Sequence, residues 1–134
     1  MTAKAMLDTS VIVAGLTPEI IAGIENYGSS TICRAELVRG REAFAHDPAK
    51  ERQVPIRREF LMILDSIPGF WMDFDARAAD GYGRLTAEPK SAMRLKDALI
   101  AGHAFGHGLP LITRDAGFSR FPAVQLEFLP TPAR

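Results

Sequence analysis

The sequence predicts an α/β fold: a three-layer α/β/α sandwich around a mainly parallel sheet of four to five strands. Short apolar segments alternate with helical segments of about three turns along the 134-residue chain, and this alternation is typical of βαβ units. The short segments are apolar throughout, as expected for parallel strands that helices cover on both faces. The helical segments also supply the long crossover connections that parallel pairing requires.

The first half of the chain is predicted to form two strands and four helices. The segment Thr17-Pro18-Glu19 is typical of a helix N-terminus, because it supplies a capping hydroxyl, a proline in the first turn and an acid near the positive end of the helix dipole. Tyr27-Gly28 is expected to end that helix, and Thr9 or Ser10 to cap the helix before it. The predicted strands are residues 5–7 and 30–33, and the predicted helices are residues 9–15, 17–26, 34–45 and 55–66.

The second half is predicted to add three strands and two helices. Asp75 is expected to cap the first of these helices, with Ala76, Ala79 and Tyr82 on its buried face. The second helix is rich in small residues, which permits close packing. The predicted strands are residues 70–74, 109–113 and 124–129, the helices are residues 75–85 and 95–107, and residues 88–90 are a loop. Residues 1–130 are expected to form a single domain and residues 131–134 a frayed tail.

Composition and charge exclude several classes of protein. Lys plus Arg and Asp plus Glu both number 16, so the net charge gives no reason to expect strong nonspecific binding to nucleic acid. The single cysteine, Cys33, cannot form a disulfide within one chain, and we expect it to be buried in a cytoplasmic protein. The sequence contains neither a signal-peptide pattern nor an apolar run of the roughly 18 residues that a membrane span needs.

Four acidic residues are predicted to meet at one edge of the sheet. Asp8 follows the first strand, Glu36 lies about one helical turn after the second, Asp115 follows the fourth, and Asp97 opens the helix that leads into the fourth. Ligands of open α/β sheets bind at the carboxyl ends of the strands. The four carboxylates are therefore expected to share one crevice, although Asp8 is also well placed to cap the following helix, and the sequence leaves that alternative open.

A cluster of carboxylates requires a compensating cation. Two like charges about 4 Å apart repel by ~4 kcal/mol at an effective dielectric constant of 20, and their pKa values rise unless a cation lies between them. Mg²⁺ and Mn²⁺ prefer oxygen ligands, whereas zinc prefers the cysteine and histidine that this set lacks. Because such a metal ion can activate water and neutralise a phosphate, the pattern favours phosphodiester hydrolysis.

Motifs along nearly the whole chain resemble those of the PIN-domain ribonucleases, specifically the VapC toxins of VapBC type II toxin–antitoxin systems. The matching segments, in chain order, are LDTSVIVA at the N-terminus, AEL, the block LKDALIAGHAFGHGLPLITRD and the AGFSRFP that follows it. LDTSV alone is only suggestive. The long block in the same order after it is specific.

The resemblance implies a PIN-like fold and a Mg²⁺- or Mn²⁺-dependent endoribonuclease. Asp8 and Asp97 match the most direct metal ligands of the family, Glu36 a residue that binds metal or orients the attacking water, and Asp115 a residue that binds a second metal ion or a metal-bound water. Ser10 and Thr113 match hydroxyls that support the site. The resemblance also implies an RNA substrate, a homodimer and a cognate VapB-type antitoxin whose C-terminal segment lies over the active-site groove.

Basic and histidine residues near these acids have both functional and structural interpretations. Arg94, Lys96 and Arg114 flank the predicted site acids and could hold an RNA backbone, or could be ordinary surface cations. His103 and His107 stand four residues apart, as zinc ligands can. The glutamate of a zinc-protease motif is absent, so we expect them to stabilise the helix C-terminus as cations.

Two alternatives to the toxin remain open from the sequence. The first is a PIN module that binds RNA or protein without cutting, whose RNA binding would survive loss of the acids and of metal. The second is a PIN nuclease that acts in RNA processing, or on structured DNA, without a toxin role. An adjacent short gene for a DNA-binding antitoxin would argue against the second alternative.

Overall fold

A computed structural model describes residues 4–87 and 94–130. The predicted loop at 88–90 and the predicted tail at 131–134 lie outside the described residues. The strands are β1 (Ala5–Leu7), β2 (Tyr27–Ser30), β3 (Trp71–Met72), β4 (Leu111–Thr113) and β5 (Leu126–Phe128). The helices are α1 (Thr9–Val13), α2 (Pro18–Ala22), α3 (Thr31–Ala45), α4 (Gln53–Asp65), α5 (Ala76–Thr86) and α6 (Leu95–His107), with 3₁₀ turns at Ile24–Asn26 and Ala116–Arg120.

The five strands form one parallel sheet in the order β3-β2-β1-β4-β5. The central strand, β1, pairs Met6 with Gly28 of β2 on one side and with Leu111 of β4 on the other. Because all strands run the same way, the residues that follow β1, β2 and β4 emerge at the same edge of the sheet. This topology confirms the predicted parallel sheet with helices around it.

The core lies in two layers, one on each face of the sheet. Adjacent residues of β1 separate the layers: Met6 packs with residues of α5 and α6, whereas Leu7 packs with residues of α1, α2 and α4. Both side chains are fully buried. Helix α3 contributes to both layers through Cys33 and Leu37. The three-layer sandwich is thus confirmed, and within the described residues no helix is long and apolar enough to cross a membrane.

The largest error of the sequence interpretation is the position of β2. Residues 30–33 were predicted as the strand, but the strand ends at Ser30 and α3 begins at Thr31. The Ser30 hydroxyl accepts a hydrogen bond from the Ile32 amide at 3.1 Å, so it caps the helix and ends the strand. Tyr27-Gly28, predicted to stop α2, instead begins β2, because α2 already ends at Ala22 and Gly23 caps it.

At the cap of α1 the structure selects one of the alternatives that the sequence left open, and the buried face of α5 differs in part from prediction. Asp8, rather than Thr9 or Ser10, caps α1 and accepts the Ser10 amide. In α5 the buried residues are Ala78, Gly81 and Leu85. Of the predicted residues, Ala76 and Ala79 are exposed, whereas Tyr82 is half-buried against the core. The predicted cap of α5, Asp75, is confirmed, and α6 spans the predicted residues and ends at Gly108 with a φ of 66°.

Candidate active site

Asp8 is held rigidly at the carboxyl end of β1. Its Oδ2 accepts hydrogen bonds from the hydroxyls of Ser10 at 2.7 Å and Thr113 at 2.8 Å, together with a longer contact of 3.4 Å from the Ser10 amide. Only 4% of Asp8 is exposed. Among the described residues these donors all contact Oδ2, so Oδ1 is the oxygen available to a ligand. Asp8 therefore does both things that the sequence suggested: it caps α1 and faces the site.

The same hydroxyls join the ends of β1 and β4. The Arg114 amide donates to Ser10 Oγ at 3.0 Å, and the Asp115 amide donates to Thr113 Oγ1 at 3.0 Å. The Asp115 carboxylate in turn accepts the Gly117 amide at 2.8 Å, which shapes the turn after β4. Two acids from distant parts of the chain thereby acquire a fixed relation through backbone and hydroxyl groups.

Glu36 is bound at both of its oxygens. Thr9 Oγ1 donates to Oε1 at 3.1 Å, and Lys96 Nζ lies 3.0 Å from Oε2. Thr9 was not among the predicted site residues. Its position between Asp8 and Ser10 is the signal that could have identified it, because a residue in the first turn of α1 faces the helix that carries Glu36.

Asp97 lies in the first turn of α6, close to the other three acids. Partial burial raises its pKa most, and repulsion from Asp115 and Asp8 raises it further. Lys96 opposes this rise, and Glu36 adds a smaller upward contribution. The site therefore has more negative charge than its own cations neutralise.

The four acids line one groove of ≈ 280 Å³, shared with Arg94 and Lys96. A second pocket of ≈ 200 Å³, with Arg120 and Phe121 in its wall, shares Arg94, Asp97 and Asp115 with the first. An extended chain with regularly spaced negative charges could follow this continuous path. Among the residues that the structure describes, Thr9, Ser10 and Val13 complete the lining of the groove.

Comparison with known proteins identifies the family of this chain. The sequence model of the PIN domain matches residues 5–124. The chain belongs to the PIN-domain family. The tRNA(fMet)-specific endonuclease VapC of Salmonella typhimurium is 30% identical over 135 residues, which cover 92% of this chain and 96% of that protein.

Solved structures place this PIN domain with VapC proteins. It superposes on a chain of the DNA-bound VapBC complex from Salmonella typhimurium with a TM-score of 0.70 and 28% identity, covering 94% of this chain and 98% of that one. For VapBC-5 from Mycobacterium tuberculosis, a member of the VapBC family of toxin–antitoxin systems, the TM-score is 0.67 and the identity 30%, covering 96% and 99%. The family and fold predicted from the sequence are confirmed.

The three predicted cations of this PIN domain occupy different surroundings. Arg94 and Lys96 line the acidic groove. Arg114 does not: its guanidinium donates to the carbonyl of Pro130, after β5, and its Nε is buried with no hydrogen-bond partner among the described residues. Its backbone amide, through Ser10, supports the site more directly than its charge does.

An exposed apolar groove lies between α2 and α4, next to the acidic one. It has a volume of ≈ 300 Å³ and is lined almost entirely by carbon atoms. Ile21 and Ile63 in its wall are 59% and 54% exposed. Large apolar side chains in an exposed groove of this kind mark a surface that can bind a partner. Leu16 lines this groove, and Val13, three residues earlier in the chain, lines the acidic groove.

The two histidines of α6 are not a pair of cations at a helix end. His103 is fully buried, its Nδ1 lies 2.8 Å from Ser30 Oγ, and its Nε2 has no hydrogen-bond partner among the described residues. Burial, and then repulsion from His107, lower the pKa of His103 to about 4, so it is neutral. His107 instead contacts Asp75 at 2.8 Å, the residue that caps α5.

His103 makes the stability of the fold depend on pH. Its folded-state pKa of about 4 lies below the ordinary value of 6.5, so the unfolded chain binds more protons between these values and stability falls as the pH drops through that range. We expect unfolding free energy to decrease by about 2 kcal/mol between about pH 7 and pH 5.

Urea unfolding measured at both pH values checks this prediction. The variant His103→Asn retains a hydrogen-bond partner for Ser30 and is expected to lose most of the pH dependence. Replacing the exposed His46 by Gln should leave the dependence intact. An unchanged slope in His103→Asn would exclude His103 as its source.

Proposed function

We propose that this PIN domain is the toxin of a VapBC type II toxin–antitoxin system and a divalent-metal-dependent endoribonuclease that hydrolyses RNA phosphodiester bonds. The observation that carries the proposal is the convergence of four acids from four separate segments on one groove. Partial burial and the repulsion of the neighbouring carboxylates raise the pKa of Asp97, and a hard cation would relieve that unfavourable charge.

The donor set fits Mg²⁺ or Mn²⁺. All four acids supply oxygen, with neither cysteine nor histidine among the groove residues. Within residues 4–87 and 94–130, no three acidic, histidine or cysteine side chains are placed to enclose one ion. Mg²⁺ is commonly bound by one or two carboxylates and keeps several waters. Asp8 and Asp97 as direct ligands would match this usual coordination. Glu36 and Asp115 would help to hold the ion, directly or through water.

The residues of the chain have distinct roles in the proposed hydrolysis. Ser10 and Thr113 fix the orientation of Asp8, and the interstrand network fixes Asp115 relative to it. Glu36 orients the attacking water, and Arg94 and Lys96 position the phosphate backbone beside the acids. A bound divalent ion supplies Lewis-acid activation of water and neutralises charge on the phosphate.

RNA cleavage with and without metal tests the proposal. Purified wild type and Asp8→Asn are incubated with a mixed cellular RNA pool in Mg²⁺, in Mn²⁺ and in EDTA. We expect discrete cuts by the wild type with either metal, and no cuts in EDTA or by the variant. Initiator tRNA is the first defined substrate to try, because the Salmonella relative is named for tRNA(fMet). RNA binding without cutting, in every condition, would instead support the non-catalytic module.

The proposed protein partner is a VapB-type antitoxin. The solved relatives are parts of VapBC complexes, and the exposed apolar groove between α2 and α4 offers a second polypeptide an apolar surface to bind. A short gene for a DNA-binding protein beside this one would support the toxin role over RNA processing. The single domain at 1–130, the homodimer and the cytoplasmic location predicted from the sequence stay predictions.

A further inference from the structure

Lys96 and Glu36 form an ion pair across the acidic groove. Lys96 comes from the first turn of α6, directly before Asp97, and Glu36 comes from α3 on the opposite wall. The Lys96 Nζ lies 3.0 Å from Glu36 Oε2, and Thr9 holds the other oxygen of Glu36. Both oxygens of this acid therefore have a donor from the chain itself.

The two partners differ in how freely they can leave the pair. The Glu36 side chain is 16% exposed and the Lys96 side chain is 53% exposed. A lysine is a compact charge on a flexible four-carbon stem, so its ammonium can move away while Glu36 stays in place. An ion pair that is half in water adds little to stability. The position of Lys96 beside Glu36 and Asp97 is better explained by the negative charge of the groove that its ammonium neutralises.

We propose that Lys96 is a tethered counter-ion, which holds Glu36 while the groove is free and exchanges it for an RNA phosphate when substrate enters. A chain cation and a metal ion that neutralise the same acids compete, because each weakens the attraction that the other feels. Transfer of Lys96 to a phosphate removes that competition. Phosphate binding and metal binding then favour each other, and the coupling is reciprocal. This inference rests on the proposed function.

Binding measurements without turnover test the exchange. Mn²⁺ affinity is measured calorimetrically for RNA-free wild type, Lys96→Met, Lys96→Arg and Arg94→Met, and RNA affinity is measured in EDTA over a range of salt concentrations. Lys96→Met keeps the length of the stem without its charge. Arg94→Met removes a different cation from the same groove and has the same net charge, so it separates the ion pair from a general loss of positive potential.

We expect Lys96→Met to bind Mn²⁺ about fivefold more tightly than wild type, which is the change that ~1 kcal/mol gives. We expect Arg94→Met to change Mn²⁺ affinity less, and Lys96→Arg to remain near wild type. RNA binding in EDTA should weaken in Lys96→Met, and its dependence on the logarithm of salt should fall by about one unit.

Unchanged or weaker Mn²⁺ binding by Lys96→Met would overturn the exchange, provided that thermal unfolding shows the variant to be folded. An equal gain in Arg94→Met would also overturn it, because the effect would then belong to the overall charge of the groove. Absence of Mn²⁺ binding by the wild type would be a different failure. It would contradict the proposed function, on which the exchange depends.

Discussion

Asp97→Asn is expected to reduce RNA cleavage by at least about 100-fold while making the folded protein more stable. A metal ion acting on a phosphate contributes several kcal/mol to transition-state stabilisation, and a neutral amide at this position would remove one of the two direct ligands that we propose. The hydrogen-bonding network around Asp8, Ser10 and Thr113 does not involve Asp97. The remainder of the groove should therefore keep its shape.

The stability gain follows from the raised pKa of Asp97. Burial and the neighbouring carboxylates disfavour its charged form in the folded protein. At a pH above the pKa of both states, this cost acts against folding. The cost is relieved as the pH falls and the carboxyl is protonated. Asn removes the cost, so we expect a gain in the free energy of unfolding at neutral pH and little gain in acid.

The check on this prediction is to combine single-turnover cleavage in Mg²⁺ with urea unfolding of the same preparations. Asp80→Asn is the matched control, because it makes the same chemical change at an exposed position of α5. It should leave cleavage unaltered. A variant that is inactive and more stable has lost chemistry rather than structure. Full metal-dependent cleavage by Asp97→Asn would remove Asp97 from the proposed set of ligands.

The sequence predicted the acidic groove better than it predicted the strands. Parallel strands bring the residues that follow them to one edge, so the approximate ends of β1 and β4 were enough to place Asp8 and Asp115 together. Even the three-residue error in β2 did not move Glu36 out of the groove. The position of Glu36 depends on α3, and Glu36 lies in the first part of that helix in both the prediction and the structure.

Features that depend on a tertiary neighbour were not predictable in the same way. His103 was predicted as a helix-end cation, but the partner that accommodates it, Ser30, lies 73 residues away in β2. Lys96 could be assigned to the groove from its place beside Asp97. Its ion pair with Glu36 requires α3 and α6 to face each other across the site. The pattern of residues along the chain does not show which helices face each other.

The prediction for the buried face of α5 was wrong at Ala76 and Ala79, which are exposed, because it relied on the spacing of apolar side chains. The backbones of α5 and α6 approach closely at glycines, where no side chain separates them. A Cβ on Gly81 would lie 2.5 Å from the Gly106 nitrogen and 2.6 Å from its Cα, and would overlap the carbonyl oxygen of Gly102. In a sequence, a glycine inside a helix reads as a weak helix former. Here it is the residue that sets the distance between two helices.

Gly81→Ala is therefore expected to destabilise the fold by about 3 kcal/mol or more. The atoms that the new methyl meets are backbone atoms of α6, so relief requires the whole helix to move, and forced insertion into a tight contact costs typically 1–3 kcal/mol and sometimes more. Gly83→Ala is an unusually close control. It lies two residues away on α5, and its added Cβ meets no atom within 4 Å. It should gain about 0.5–1 kcal/mol from helix propensity.

Urea unfolding of the two alanine variants separates packing from propensity, because both gain the same intrinsic preference for helix. If Gly81→Ala were as stable as Gly83→Ala, close backbone packing would not hold α5 and α6 together. The consequence reaches the groove as well, since α6 carries both Lys96 and Asp97 at its start. A displacement of α6 that leaves enough folded protein to assay should weaken Mn²⁺ binding in Gly81→Ala but not in Gly83→Ala, because only the first variant moves a wall of the site.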